Sequence, residues 1–65
     1  MAKTYYRQLT AILRDNGFHL ERYGKGDHEI WSNKKTGRFV VVDRGVTIRH
    51  TANGILKDAG LPKAF

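Results

Sequence analysis

The sequence predicts an α+β domain in the order α-β-β-β-α, with a three-stranded antiparallel sheet carrying both helices on a single face. Three observations carry that expectation. Apolar residues recur at helical spacing near each end of the chain. Alternating or β-branched runs fill the middle. Short glycine-containing connections separate those runs, which suits an antiparallel meander. One face of such a sheet can remain open to solvent.

The first helix is expected over about Tyr5 to Asn16. Tyr5, Leu9, Ile12 and Leu13 fall on one helical face, and Arg7, Gln8, Thr10 and Arg14 on the other. Thr4 is the expected N-cap, and Gly17 the left-handed residue that ends the helix. Phe18 to Tyr23 alternates, so it reads as a half-buried strand. Phe18 and Leu20 share one side; His19, Glu21 and Tyr23 share the other. The Gly24–Gly26 loop turns the chain into a second strand, about His28 to Ser32. Asn33 to Gly37 forms the next turn, with Gly37 free to take positive φ. Phe39 to Asp43 is the third strand. Arg44 to His50 reads as loop or partly as strand. Thr51 is the expected cap of a second helix, about Ala52 to Ala59, which Gly60 ends and Pro62 keeps from resuming. Gly54 inside that helix costs about 1 kcal/mol against alanine, which suggests a close approach to the sheet or to a partner.

Length and charge bound the function. The chain has 65 residues, so a single domain over 1–65 is expected. A domain this small buries only about 60% of its unfolded surface. It has little room for a deep small-molecule pocket; a polymer lying across the surface is the better fit. Twelve Lys and Arg against six Asp and Glu give a net charge of +6, and the pI is near 10.1. Such a balance favours a polyanion: nucleic acid, an anionic membrane or an acidic protein. The longest apolar run, Phe39-Val40-Val41-Val42, is far short of the roughly 20 residues that span a bilayer. Met1-Ala2-Lys3 and the polar, aromatic stretch after it do not read as a signal peptide. The expected location is the cytoplasm, with no membrane partner. With no cysteine, disulfides and thiolate metal sites are excluded.

The chemistry concentrates at Gly24-Lys25-Gly26-Asp27-His28-Glu29-Ile30-Trp31. Glycine lets a backbone or a phosphate come close, lysine brings charge, and an unperturbed histidine trades protons near neutral pH. Strand alternation puts His28, Ile30 and Ser32 on one face and Glu29 and Trp31 on the other. Placing the large Trp31 under the helices sends His28 to the open face; turning Ile30 inward takes His28 in with it. The former is the expectation. A metal site at Asp27-His28-Glu29 is disfavoured, because neighbouring strand residues point to opposite faces. No Ser-His-Asp or Cys-His signature is present. The cations placed to touch a phosphate backbone are Lys25, then Arg44 and Arg49, with Arg22, Lys34 and Lys35 completing the basic surface. Tyr23 reads equally as a stacking surface on the open face or as a plain surface tyrosine, and Tyr5 and Tyr6 are expected to cover the helix–sheet seam.

This segment resembles the region around the active histidine of HicA toxins, the RNA-cleaving partners of type II toxin–antitoxin pairs. Asn16-Gly17-Phe18 after the first helix and Thr51-Ala52-Asn53-Gly54-Ile55-Leu56-Lys57-Asp58-Ala59-Gly60-Leu61 at the end also resemble that family, so the likeness covers nearly the whole chain. It implies a double-stranded-RNA-binding-like fold, metal-independent endoribonuclease action on mRNA with no cofactor, and arrest of translation and growth. It also implies a HicB-type antitoxin that covers the site. The family's catalytic histidine corresponds to His28, and its preceding glycine to Gly26, which together with Lys25, Arg44 and Arg49 forms the expected RNA-binding set. Two departures stand out. Asp27 replaces the family's usual serine, and its carboxylate repels phosphate and favours a protonated imidazole. Val42-Asp43-Arg44-Gly45 lacks the Pro and His that often follow the third strand; His50 is the residue left to substitute. The alternative function is a non-catalytic RNA-binding module of the same fold.

Overall fold

The computed structural model describes residues 4–65. The Met1-Ala2-Lys3 start, on which the expectation of no leader rests, lies outside the described residues. The element order is α1 (Tyr6–Asp15), β1 (Phe18–Tyr23), β2 (His28–Asn33), β3 (Phe39–Asp43) and α2 (Arg49–Asp58). The sheet order is β1-β2-β3, and both pairings are antiparallel. This is the expected α-β-β-β-α fold with its three-stranded antiparallel sheet.

The helices meet the sheet through one contiguous core. Leu9 and Leu13 of α1, Trp31 of β2, Val40 and Val42 of β3, and Ala52, Ile55 and Leu56 of α2 are all buried in it. Trp31 is 1% exposed, so the large indole does lie beneath the helices. The opposite face keeps Phe39 and Val41 exposed.

Helix ends follow local chemistry where glycine is involved. Gly17 takes φ +89° after α1, and Gly60 takes φ +79° after α2. Past α2, the Gly60 N–H donates to the Lys57 carbonyl at 2.9 Å and the Leu61 N–H to the Leu56 carbonyl at 2.8 Å. That pair of bonds is a Schellman motif.

Helix starts differ from expectation. Thr4 does not cap α1: Tyr5 holds the N-cap position without a side-chain cap bond. Its backbone N–H instead donates to the Val46 carbonyl at 2.8 Å, tying the helix entry to the segment after β3. Thr51 does not cap α2 either. That helix begins earlier, with Ile48 extended at the N-cap (φ −102°, ψ 121°), so Thr51 lies in its first turn. Thr10, expected on the polar side of α1, is buried. Its hydroxyl donates to the Tyr6 carbonyl at 2.9 Å, which satisfies the polar atom within its own helix. Gly54 does not serve close approach to the sheet, because a Cβ built there would meet nothing within 4 Å.

A register shift between Leu20 and Arg22 places a bulge at Glu21. Beyond a bulge the facing of a strand is displaced by one residue. Arg22 therefore pairs with Ile30, and Tyr23 with Glu29. Tyr23 thus leaves the open face on which simple alternation placed it.

Candidate functional site

His28 is the first residue of β2 and lies opposite Asp43 at the end of β3. It shares the open face with Ile30 and Ser32, and it is exposed. The preceding loop holds it by backbone bonds. The Gly24 N–H donates to the His28 carbonyl at 2.8 Å, and the His28 N–H donates to the Lys25 carbonyl at 3.2 Å. Gly26 sits at φ +62°, a backbone region that side chains rarely adopt. A Cβ on Gly24 would stand 3.4 Å from the His28 Cβ, so glycine keeps the space beside the imidazole open.

Arg44, just past β3, is the cation most firmly tied to this hairpin. Its N–H donates to the Asp27 carbonyl at 3.0 Å, and its Nη2 meets Asp27 Oδ1 at 3.2 Å. Its Nε stands 4.0 Å from Glu29 Oε2, and its guanidinium lies 6.0 Å from the centre of the Tyr23 ring. Asp27 is therefore turned to Arg44. Both side chains remain solvent-exposed, so a competing anion can replace the carboxylate at low cost.

Beneath the hairpin lies a group the sequence reading did not single out. Glu29 is only 2% exposed. The Tyr6 hydroxyl donates to it, 2.8 Å from Oε1 and 3.1 Å from Oε2. Trp31 Nε1 donates to Oε1 at 3.0 Å. Burial pushes the Tyr6 phenol above its ordinary pKa; the hydrogen bond to Glu29 and then the charge of Glu29 push the same way. The signal was the shared face of Glu29 and Trp31. A carboxylate two positions from a buried indole must find donors, and Tyr6 is the one that α1 supplies.

Of the expected RNA-binding residues, Lys25, Gly26 and Arg44 belong to the His28 hairpin or are bonded to it. Arg49 does not. It opens α2 and lines a solvent-open groove of about 650 Å³ with His50 and Lys57. His50 likewise lines that groove, and no hydrogen bond among the described residues ties it to the hairpin. Lys34 and Lys35 lie in the turn at the opposite end of β2. Tyr23 packs toward Arg44 on the Glu29 side, so it offers no stacking surface on the open face. Tyr5 and Tyr6 do pack on the core at the seam.

Asp27, His28 and Glu29 do not converge: Glu29 points beneath the helices while His28 faces solvent. No cluster of three or more metal-ligating side chains forms among the described residues. No helix among them is long and apolar enough to cross a membrane. What the site presents is an exposed imidazole at the first residue of β2, a glycine-containing loop beside it, and a guanidinium bonded to the same loop.

Comparison with protein families finds a match, over residues 6–61, to the family described as the HicA toxin of bacterial toxin–antitoxin systems. Comparison with curated proteins and with solved structures gave no match.

Proposed function

Because the chain belongs to the HicA toxin family of bacterial toxin–antitoxin systems, we propose that this toxin is a metal-independent endoribonuclease that cleaves mRNA with His28. The family places it opposite a cognate antitoxin. The observation that carries the proposal is the exposed imidazole on the open face, bordered by the glycine loop and its bonded Arg44.

RNA supplies its own nucleophile. His28 takes the proton of a 2′-hydroxyl, whose oxygen attacks the adjacent phosphorus while water protonates the departing 5′-oxygen, or it protonates that oxygen while water takes the hydroxyl proton. One P–O bond forms and one breaks, leaving a 2′,3′-cyclic phosphate and a free 5′-hydroxyl. Arg44 and Lys25 oppose the charge that gathers on the phosphoryl oxygens. Gly26 allows the backbone to approach the phosphate. Loss of mRNA then stops translation and growth. A HicB-type antitoxin laid over the His28 face blocks RNA entry, and an acidic partner surface suits the net charge of +6.

The test uses purified toxin and a labelled single-stranded RNA. Cleavage is expected in EDTA, with cyclic phosphate ends, and an all-deoxy strand stays intact. His28→Ala is expected to lower the rate by at least about 100-fold, the usual scale of a lost acid–base group. Cleavage of the deoxy strand at an equal rate overturns the mechanism. Wild-type protein that binds RNA and never cuts it identifies the binding module instead.

A further inference from the structure

The groove along α2 has no place in the chemistry at His28. Its cations are Arg49 and Lys57 on the helix and Lys63 beyond it, with His50 beside them. None of the three has a carboxylate within ion-pairing distance among the described residues; the ion pairs there belong to Arg22 and Arg44. Gly54 stands between the helical cations, and a Cβ there would meet nothing within 4 Å, so the groove is open at its middle.

The far wall is held in place. Asn53 Oδ1 accepts from the N–H groups of Ala64 and Phe65, each at 3.1 Å, and its Nδ2 donates to the Phe65 carbonyl at 3.1 Å. The Phe65 ring packs against Tyr5 with centroids 4.9 Å apart. The segment after Lys63 is therefore clamped to α2, and the three cations line one trough. Such a trough suits a chain of evenly spaced negative charges better than a single ion.

We propose that this groove is a second RNA-binding site, which holds the phosphate backbone of the strand cut at His28. The inference rests on the nuclease reading for its substrate and adds where that substrate is gripped. Reach supports it. Arg49 follows Arg44 by five residues, so their Cα atoms lie at most about 18 Å apart. A short single strand spans that distance. The groove supplies sequence-independent affinity, and the hairpin positions one phosphate for cleavage.

The experiment measures binding of labelled oligouridylate to the His28→Ala protein across a salt series. In that background Lys57→Gln/Lys63→Gln is compared with Lys34→Gln/Lys35→Gln, which removes equal charge from the turn at the far end of the sheet. All four lysines are exposed, and thermal melts check that each variant folds. The groove pair is expected to weaken binding roughly fivefold per lost contact near 0.1 M salt, and to make the salt slope shallower by about 0.7 per contact. The Lys57→Arg/Lys63→Arg variant is expected to match the parent, and the turn pair to lose clearly less affinity than the groove pair while keeping the parent's salt slope. Equal losses from the groove and turn pairs overturn the proposal, since only net charge would then matter. So does a groove pair that binds RNA normally but no longer binds the cognate antitoxin, which would make the groove a protein interface. Failure of the nuclease reading is distinct: RNA held through the groove yet never cut by the wild-type toxin leaves this site standing.

Discussion

At the scale of single residues, the position of His28 was legible and its support was not. Alternation along β2, together with the size of Trp31, is enough to send His28 to the open face. The donors to Glu29 could not be read, because Tyr6 lies 23 residues away in sequence and only the packing of α1 brings it near. The same holds for Arg44, visible as a cation but not as the partner of Asp27. The Tyr6–Glu29 bond gives a test. The Tyr6 pKa is raised in the folded state, first by burial and then by Glu29. The folded protein therefore holds that proton more tightly than the unfolded chain. Its contribution is complete below the ordinary tyrosine value of about 10, and it is lost as pH climbs through the raised folded value. Tyr6→Phe leaves a buried carboxylate short of a donor, so it is expected to cost about 1–3 kcal/mol near neutrality. The gap to wild type should narrow from about pH 10 upward. Urea midpoints of both proteins measured through that range check it; a gap that stays constant shows that Tyr6 does not titrate against folding.

Among elements, strands and helix ends were legible, and helix starts and the bulge were not. The ends rest on local chemistry: Gly17 and Gly60 take the positive φ that glycine favours there. The start of α1 is settled by a tertiary bond, and that of α2 departs from its expected cap. Tyr5 is fixed by the Val46 carbonyl, and α2 winds back past Thr51 to Arg49. The bulge at Glu21 is accompanied by a bond across the sheet. The Ser32 hydroxyl, across the sheet, donates to Glu21 Oε1 at 2.9 Å, and no local pattern announces that bond. This displaced Tyr23 from the expected face. Two substitutions separate the local from the tertiary cases. Thr51→Ala is expected to change stability by no more than about 0.5 kcal/mol, as at an ordinary exposed position. Gly17→Ala forces a side chain into φ +89° and brings its Cβ to 3.1 Å from Asn33 Nδ2, so a loss above about 1 kcal/mol is expected. Thermal melts of the pair decide this; equal losses would restore Thr51 as a cap.

For the molecule as a whole, composition announced a basic surface, and the structure divides it in two. Lys25 and Arg44 belong with the His28 hairpin, while Arg49 joins the α2 groove. The sequence could not make that division, because it depends on where α2 begins. A chain of 65 residues also leaves little margin: at roughly 0.05–0.15 kcal/mol per residue, its stability is about 3–10 kcal/mol. Trp31 carries much of it. It touches both layers, donates to Glu29 at 3.0 Å, and receives the Arg14 guanidinium 5.0 Å from its ring centre. Trp31→Ala removes the largest buried side chain and takes a donor from a buried carboxylate. The cavity alone costs about 3–5 kcal/mol, which is comparable with the whole stability. That variant is therefore expected to be largely unfolded at 37 °C, with loss of near-ultraviolet dichroism and of amide dispersion. Phe39→Ala, on the open face at 65% exposure, is expected to melt within a few degrees of wild type. The contrast tests the sidedness of the sheet directly. A folded Trp31→Ala beside an unfolded Phe39→Ala would mean that the sheet faces the other way, and His28 would then lie beneath the helices instead of facing solvent.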